Sequence, residues 1–342
     1  MMRRIALLLA IVLTAGACAA GESGPTTVRL LTHDFFAVPD ELLTQFTNET
    51  GIEVEIIRGG DAGIVINQAI LASGNPVADV LFGVDTTLLS RTIDADLFQP
   101  YRSVAGRDFV EGYGTAGGVV TPIDFGDVCL NYDTIRLPNP PSSLEELTDE
   151  RFRGMLVMPD PTISSPGLAF LLATIDRFGE TGPYTWRDYW TDLRANDVEI
   201  VADWGTAYYS SFSATGTGSR PIVVSYASSP PAEVLFSDPP IDRARTAVIE
   251  DGCFRQVEYA GVLRGSRNQG PARQLIDFML AIPFQESVPS SMFVFPVNPA
   301  ATLPEVFIAN ALVPSDPASI DPGTIEQNRE RWLTEWIDTV LR

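Results

Sequence analysis

Three stretches open helices in a way that leaves hydrogen-bond donors free: Ser164-Ser165-Pro166-Gly167, Ser228-Ser229-Pro230 and Gly59-Gly60-Asp61-Ala62-Gly63. Ser at a cap and Pro at the first helical position stabilise a helix start. The same ends carry unpaired N–H groups and a partial positive charge, so they can hold a phosphate or another acceptor. Capping alone would use the same residues. Trp204 and Tyr226 each fall at or just beyond the end of a predicted strand, where open α/β sheets bind ligands. A cationic ring held against such faces gains roughly 0.5–2 kcal/mol per contact, although ordinary half-buried aromatics leave the same trace in a sequence. Asp34, Asp61, Asp85, Asp124 and Asp203 also lie at strand ends or just past them. Each alone reads as a cap or a loop residue; together they make a negative cleft suited to a cation.

Catalytic groupings are scarce. The chain has one histidine, His33, so there is no His-pair metal site and a Ser-His-Asp triad would depend on His33 alone. There is no G-x-S-x-G, no Walker loop and no paired CxxC. A hydrolase using one of the helix-start serines stays open as an alternative, because triad partners can be distant in sequence. No cofactor and no metal is expected.

The elements that must position these residues alternate between strand and helix patterns. Val28–Thr32 and Glu53–Ile57 read as strands, with a helix over Asp40–Thr50 that stops at Gly51. Helix over Ile64–Ala72, strand over Val80–Phe82 and helix over Thr86–Ile93 continue the order. After Val119–Tyr132, an extended stretch containing Pro122 and Gly126, a second series begins. It has a short helix at Ser143–Leu147 and a strand at Met155–Met158, then helices at Gly167–Phe178 and Thr185–Ala195. A strand at Val198–Val201, a helix at Thr206–Phe212 and a strand at Pro221–Tyr226 complete it. Phe254–Leu263 is again extended. It is followed by helix Ala272–Leu280, a short strand at Met292–Val297 and a tail over Thr324–Leu341 with Trp332, Trp336, Ile337 and Val340 on one face. The βαβα order predicts an α/β fold with a mainly parallel sheet. Two long crossings predict a chain that leaves one lobe, builds a second and returns.

The 342 residues carry 23 Lys+Arg against 44 Asp+Glu, a net charge of −21, with 45% hydrophobic residues. That is enough apolar sequence for about two domains. The acidity excludes nucleic acid as a partner and a basic patch as a means of holding anionic lipid. Residues 1–17 pair Arg3 and Arg4 with the apolar run Ile5–Leu13, which reads as a signal peptide. Ala15-Gly16-Ala17-Cys18 resembles a bacterial lipobox, with Cys18 lipidated and residues 18–27 as a tether; the alternative is a plain secreted chain. In an oxidising compartment the remaining pair, Cys129 and Cys253, is expected to be bridged.

Several motifs together carry a family likeness: LLTHDFF (Leu30–Phe36), ADVLFGVD (Ala78–Asp85), TPIDFGDVCLNYD (Thr121–Asp133), MPDPTISSPGLAFLLA (Met158–Ala173), VADWGTAYYSSF (Val201–Phe212), VVSYASSPPAE (Val223–Glu233), QVEYAGVL (Gln256–Leu263) and FPVN (Phe295–Asn298). The chain resembles the substrate-binding components of thiamine ABC transporters, within the two-lobed periplasmic binding protein class that also holds ferric-ion and polyamine binders. The resemblance implies a type II periplasmic-binding-protein fold hinged on two extended crossing strands. Lobe 1 would be residues 28–122 and 258–342, and lobe 2 residues 123–257. It implies a monomer anchored outside the cytoplasm that delivers thiamine, or its phosphate or diphosphate, to a permease and ATPase.

By the same resemblance, Trp204 and Tyr226 would sandwich the cationic ring of the ligand. Ser164 and Ser165, with the Gly167 backbone, would hold its tail. Asp61 and Gly63 would close from lobe 1, Asp34 would sit at the entrance, and Asp85 would add a contact. Phe293 stands where the family pattern often has Trp, and Ala232 where some members have Tyr. Tyr208-Tyr209 keeps a ferric-ion reading open, and a polyamine is the other alternative on the same fold.

Overall fold

The computed structural model describes residues 26–342; the signal segment 1–17, Cys18 and most of the expected tether lie outside them. The first half runs β1 (Thr26–Thr32), α1 (Asp40–Thr50), β2 (Ile52–Arg58), α2 (Ala62–Leu71), β3 (Val80–Asp85), α3 (Leu89–Asp94) and the two-residue β4 (Phe98–Gln99). Helix α1 stops where Gly51 turns left-handed at φ 71° and its N–H caps the Thr47 carbonyl, a conformation that Gly adopts without steric cost. All six residues of β3 are buried, as expected of a strand covered on both faces.

The chain then crosses on β5 (Thr121–Asp133) and builds β6 (Leu156–Pro159), α4 (Ser165–Phe178), α5 (Trp186–Ala195), β7 (Glu199–Val201), β8 (Ile222–Tyr226) and α6 (Pro230–Phe236). It returns on β9 (Thr246–Leu263) and ends with α7 (Gln269–Met279), α8 (Ile282–Ser291), β10 (Phe295–Pro296), α9 (Glu305–Asn310) and α10 (Pro322–Val340). Strand order is β2-β1-β3-β9-β5-β8-β6-β7. The outer strands on each side pair in parallel, whereas β9 and β5 pair antiparallel with each other and with their neighbours. Two parallel half-sheets are thus joined by two long central strands, the two-lobed α/β arrangement expected from the sequence.

Several local expectations need correction. The return crossing is 18 residues long and begins at Thr246 rather than Phe254. Ser143–Leu147 is not an α-helix; a 3-10 turn covers Glu146–Thr148. Thr206–Ser211 winds as a π-helical turn, and the strand near the end shrinks to Phe295–Pro296. Helices α8 and α9 had no counterpart in the sequence reading. Pro289 lies inside α8 and argues against a helix locally.

Cys129 and Cys253 form the expected disulfide, joining β5 to β9. Helix α10 buries Trp332 and Trp336 and packs against both α5 and α3. It is fixed to the first by Arg187 Nε donating to Glu335 (2.6 Å) and to the second by Ser90 Oγ donating to the Pro322 carbonyl (2.7 Å).

Candidate functional site

A cavity of about 280 Å³ lies between the two half-sheets, and five of the expected residues line it: Asp61, Ser165, Trp204, Tyr226 and Phe293. Asp61 comes from the start of α2, Ser165 from the start of α4, and Tyr226 from the last position of β8. Each sits at the carboxyl end of a strand or at the helix that follows one, where the topology exposes side chains to the crevice. Phe293 is held at φ 57° between α8 and β10. That left-handed backbone is costly for a bulky residue, and such strain concentrates at functional sites.

The other expected residues do not line the cavity: Asp34 is exposed, whereas Gly63, Asp85, Ser164 and Gly167 are buried behind the wall. Asp34 Oδ1 accepts from the Gly60 N–H (3.0 Å) and so shapes the loop that carries Asp61. Gly63 lies where a Cβ would come within 2.6 Å of the Ile163 carbonyl, so a glycine is needed for α2 to meet the loop before α4. Gly167 would likewise collide with the Pro159 carbonyl at 2.3 Å, which makes it a packing residue of α4 rather than part of the wall. Ser164 is buried at the α4 cap. Asp203 caps the π-helical turn through the Thr206 N–H (2.7 Å).

The aromatic arrangement differs from a sandwich. Trp204 and Tyr226 are 6.3 Å apart at 66°, a corner rather than parallel plates. One indole face is already covered by Tyr208, stacked at 5.0 Å and 15°, and Phe35 meets the indole edge-on at 4.9 Å. Trp204 Nε1 donates to Ser225 Oγ (3.1 Å), and Ser225 is bonded in turn to Ser229 (3.0 Å). The second Ser-Ser-Pro stretch therefore orients the indole. Gly126 leaves room for the Tyr226 ring, which a Cβ there would meet at 2.9 Å. Tyr208 and Tyr209 both line the cavity, but their rings are perpendicular at 89°.

Of the acidic cleft expected from the sequence, Asp85 and Asp124 join with Glu258, which was not expected, in a single row. Antiparallel pairing sets Asp85 of β3 opposite Glu258 of β9, and Glu258 opposite Asp124 of β5. Directly paired residues share a face with Cβ atoms about 5 Å apart, so three carboxyls form a row across three strands. His33, just after β1, reaches Glu258 at 3.4 Å. Burial works against the imidazolium, but Glu258 outweighs it and holds His33 above its ordinary pKa. Burial would also raise Glu258, and His33 overrides it and holds the carboxyl low. Burial, then the charge of Glu258, raises Asp124 well above the carboxylate range. Burial lifts Asp85 to about 6 and also raises Asp61.

The residues that sequence reasoning missed include His33 in this role, Glu258, Gln256 and Phe35. Gln256 and Glu258 fall within the quoted QVEY motif, but nothing local distinguishes them from other strand residues. Chemically the cavity offers aromatic faces beside two carboxyls, Asp61 and Glu258, with Asp85 and Asp124 buried on either side of Glu258. His33 engages Glu258, while the Ser165 hydroxyl is bonded to Asp85.

Residues 75–316 match the family described as bacterial extracellular solute-binding protein. The thiamine-binding periplasmic protein of Salmonella typhimurium is 27% identical over 329 residues, covering 95% of this chain and 97% of its own length. Among solved structures, a periplasmic thiamin binding protein superposes with a TM-score of 0.82 at 25% identity, over 92% of this chain and 96% of its own. Iron-bound HitA from Pseudomonas aeruginosa shares the fold at a TM-score of 0.75 and 22% identity, over 92% of this chain and 99% of its own.

Proposed function

The chain belongs to the bacterial extracellular solute-binding proteins, and we propose that within this family it captures thiamine between its two halves and delivers it to an ABC permease. The observation that carries this reading is the meeting of the Trp204–Tyr226 corner with the Asp61 and Glu258 carboxyls in one cavity. A flat cationic ring gains from both at once: cation–π attraction from the aromatics and Coulomb attraction from carboxylates in a partly dry site. The named function of the Salmonella relative supports the same ligand.

A scavenging receptor working near micromolar ligand needs about −8 kcal/mol. That demands water exclusion and closure of residues 28–122 and 258–342 on residues 123–257 about the crossings β5 and β9. We assign residues 1–17 as the export signal and Cys18 as the lipid-bearing anchor that keeps the receptor at the membrane outside the cytoplasm. A monomer suffices for this action, and no catalytic step is assigned to it.

Titration of the mature chain with thiamine, ferric ion and spermidine, read by tryptophan fluorescence, tests the reading. Thiamine is expected to change the emission of Trp204 at micromolar concentration or below. A visible tyrosinate–iron charge-transfer band from Tyr208 or Tyr209, with no response to thiamine, overturns it in favour of iron.

A further inference from the structure

Among the described residues that line the cavity, His33 carries the one basic side chain, and Asp61 and Glu258 carry carboxyls. The imidazole has a built seat. Gly83 turns at φ 92°, a backbone that suits glycine, and a Cβ there would come within 2.4 Å of His33 Cδ2. Phe82 meets the ring at 5.8 Å and 40°. The charged groups facing His33 are all acidic: Glu258 from β9, Asp61 ahead of α2 and Asp85 from β3. Asp124 of β5 faces Glu258 from the other side. Asp34, next in the chain, turns instead to the Gly60 N–H. Before a cation arrives, His33 is therefore the positive charge that this acidic end of the cavity holds.

The hold is electrostatic rather than directional. His33 Nε2 lies 3.4 Å from Glu258 Oε1, yet it makes no hydrogen bond among the described residues. A second cation drawn to the Glu258 carboxylate meets no fixed bond to break. It does meet a like charge, and like charges close together in a partly dry site disfavour one another. The thiazolium of thiamine is permanently charged, whereas an imidazolium sheds its charge near neutral pH. Of the two cations, His33 is the one that can become neutral.

Resting on the thiamine reading above, we propose that His33 is a specificity-determining stand-in for the ligand's positive charge: the thiazolium takes over Glu258, one N–H bond of the imidazolium breaks, and its proton passes to solvent. The imidazole keeps the electron pair of that bond and stays in its seat as a neutral base, so the charge of the cavity is the same before and after binding. A ligand of the same shape without a cation gains nothing from this exchange, because His33 already neutralises Glu258. Selection then falls on charge as well as on ring shape, and it weakens in acid.

Calorimetric titration of the mature chain with thiamine, in buffers of different ionisation enthalpy, counts the protons released per ligand bound. At about pH 6.5 most of His33 is charged in the free protein, since its neighbours hold it above its ordinary value, and a release of at least about half a proton is expected. Affinity should rise several-fold between about pH 6.5 and 8, as the imidazolium is lost from the free protein. The uncharged thiophene analogue of thiamine should bind with no release. His33→Gln keeps an uncharged donor beside Glu258; it should bring the thiamine release close to zero and flatten the rise in affinity. Asp61, Asp85 and Asp124 are the competing proton sources. A release that persists in His33→Gln assigns it to them and overturns the proposal, as does thiamine binding with no release by the unaltered chain. If His33→Gln does not fold, the thiophene analogue carries the test, and a release equal to that of thiamine overturns the proposal. Absence of thiamine binding at any pH instead overturns the ligand reading itself, and the exchange with it.

Discussion

Strand β5 carries two buried acidic positions three residues apart, and β9 treats the two differently. Asp127 is paired with Arg255 at 2.5 Å, and that guanidinium also lies 5.0 Å over the Phe125 ring. Two residues further on, Cys129 is bonded to Cys253. Asp124, by contrast, faces Glu258 in a row that continues to Asp85, with the single imidazole of His33 against it. At one end of the same ladder the carboxyl has a guanidinium partner, while the other has only the imidazole of His33 for positive charge where it meets the cavity. Burying unpaired carboxyls costs free energy, and a cationic ligand offsets that cost only while it is bound. The contrast separates the part of the hinge that maintains the fold from the part that recognises.

The largest test of this division is removal of the disulfide. It closes a loop with a sequence separation of 124, for which the chain-entropy account gives about 4–5 kcal/mol. Cys129→Ser with Cys253→Ser should lose stability of that order in urea unfolding, while the protein that remains folded keeps its thiamine affinity. Affinity falling in step with stability would erase the division.

The next effect lies at the other end. Asp85 has its folded pKa raised to about 6 by burial, so the folded state holds a proton that the unfolded chain releases nearer pH 4. Its contribution to stability is present below that lower value and is lost as pH rises through about 6. Asp85→Asn should therefore gain stability relative to the unaltered chain over this window, by up to about 3 kcal/mol. A difference in melting temperature that stays flat with pH would count against the buried, ionising Asp85.

Smaller still, Arg255→Met strands Asp127 without its partner and should cost about 2 kcal/mol with little change in affinity. Glu258→Gln should do the reverse, weakening thiamine about tenfold, near 1.4 kcal/mol, with a smaller shift in melting temperature. Trp204→Ala should weaken thiamine roughly tenfold, within the range for a desolvated cation–π contact. Unchanged affinity would remove the indole from recognition.

Much of the scaffold was legible because its signals are local. Helix α1 stops at the left-handed Gly51 that its sequence marks, and Trp332 and Trp336 bury the face that their spacing marks out. Pro289 concealed α8 because local propensity argues against a helix that tertiary packing sustains. In the site, position in the chain located Trp204, Tyr226, Asp61 and Ser165, since strand ends converge in this topology. It did not separate Asp34, Gly63 and Gly167 from them, because neighbours on a helix or turn face different ways. Asp85 and Asp124 were marked by their strand ends, but the row itself, completed by Glu258, was beyond reach. It depends on the pairing register of strands more than 130 residues apart in sequence, and sliding one strand by a single residue would turn Glu258 to the opposite face.

The C-terminal helix bears on how the crevice can widen. Because α10 is fastened to α5 on one side and to α3 on the other, the halves are strapped together along the flank it covers. Parting them like a clamshell would break the Ser90–Pro322 bond, while Trp332 and Trp336 stay with Glu180 and Trp190. A twist that pivots on this flank keeps that bond, so the strap favours a wringing motion over a gaping one.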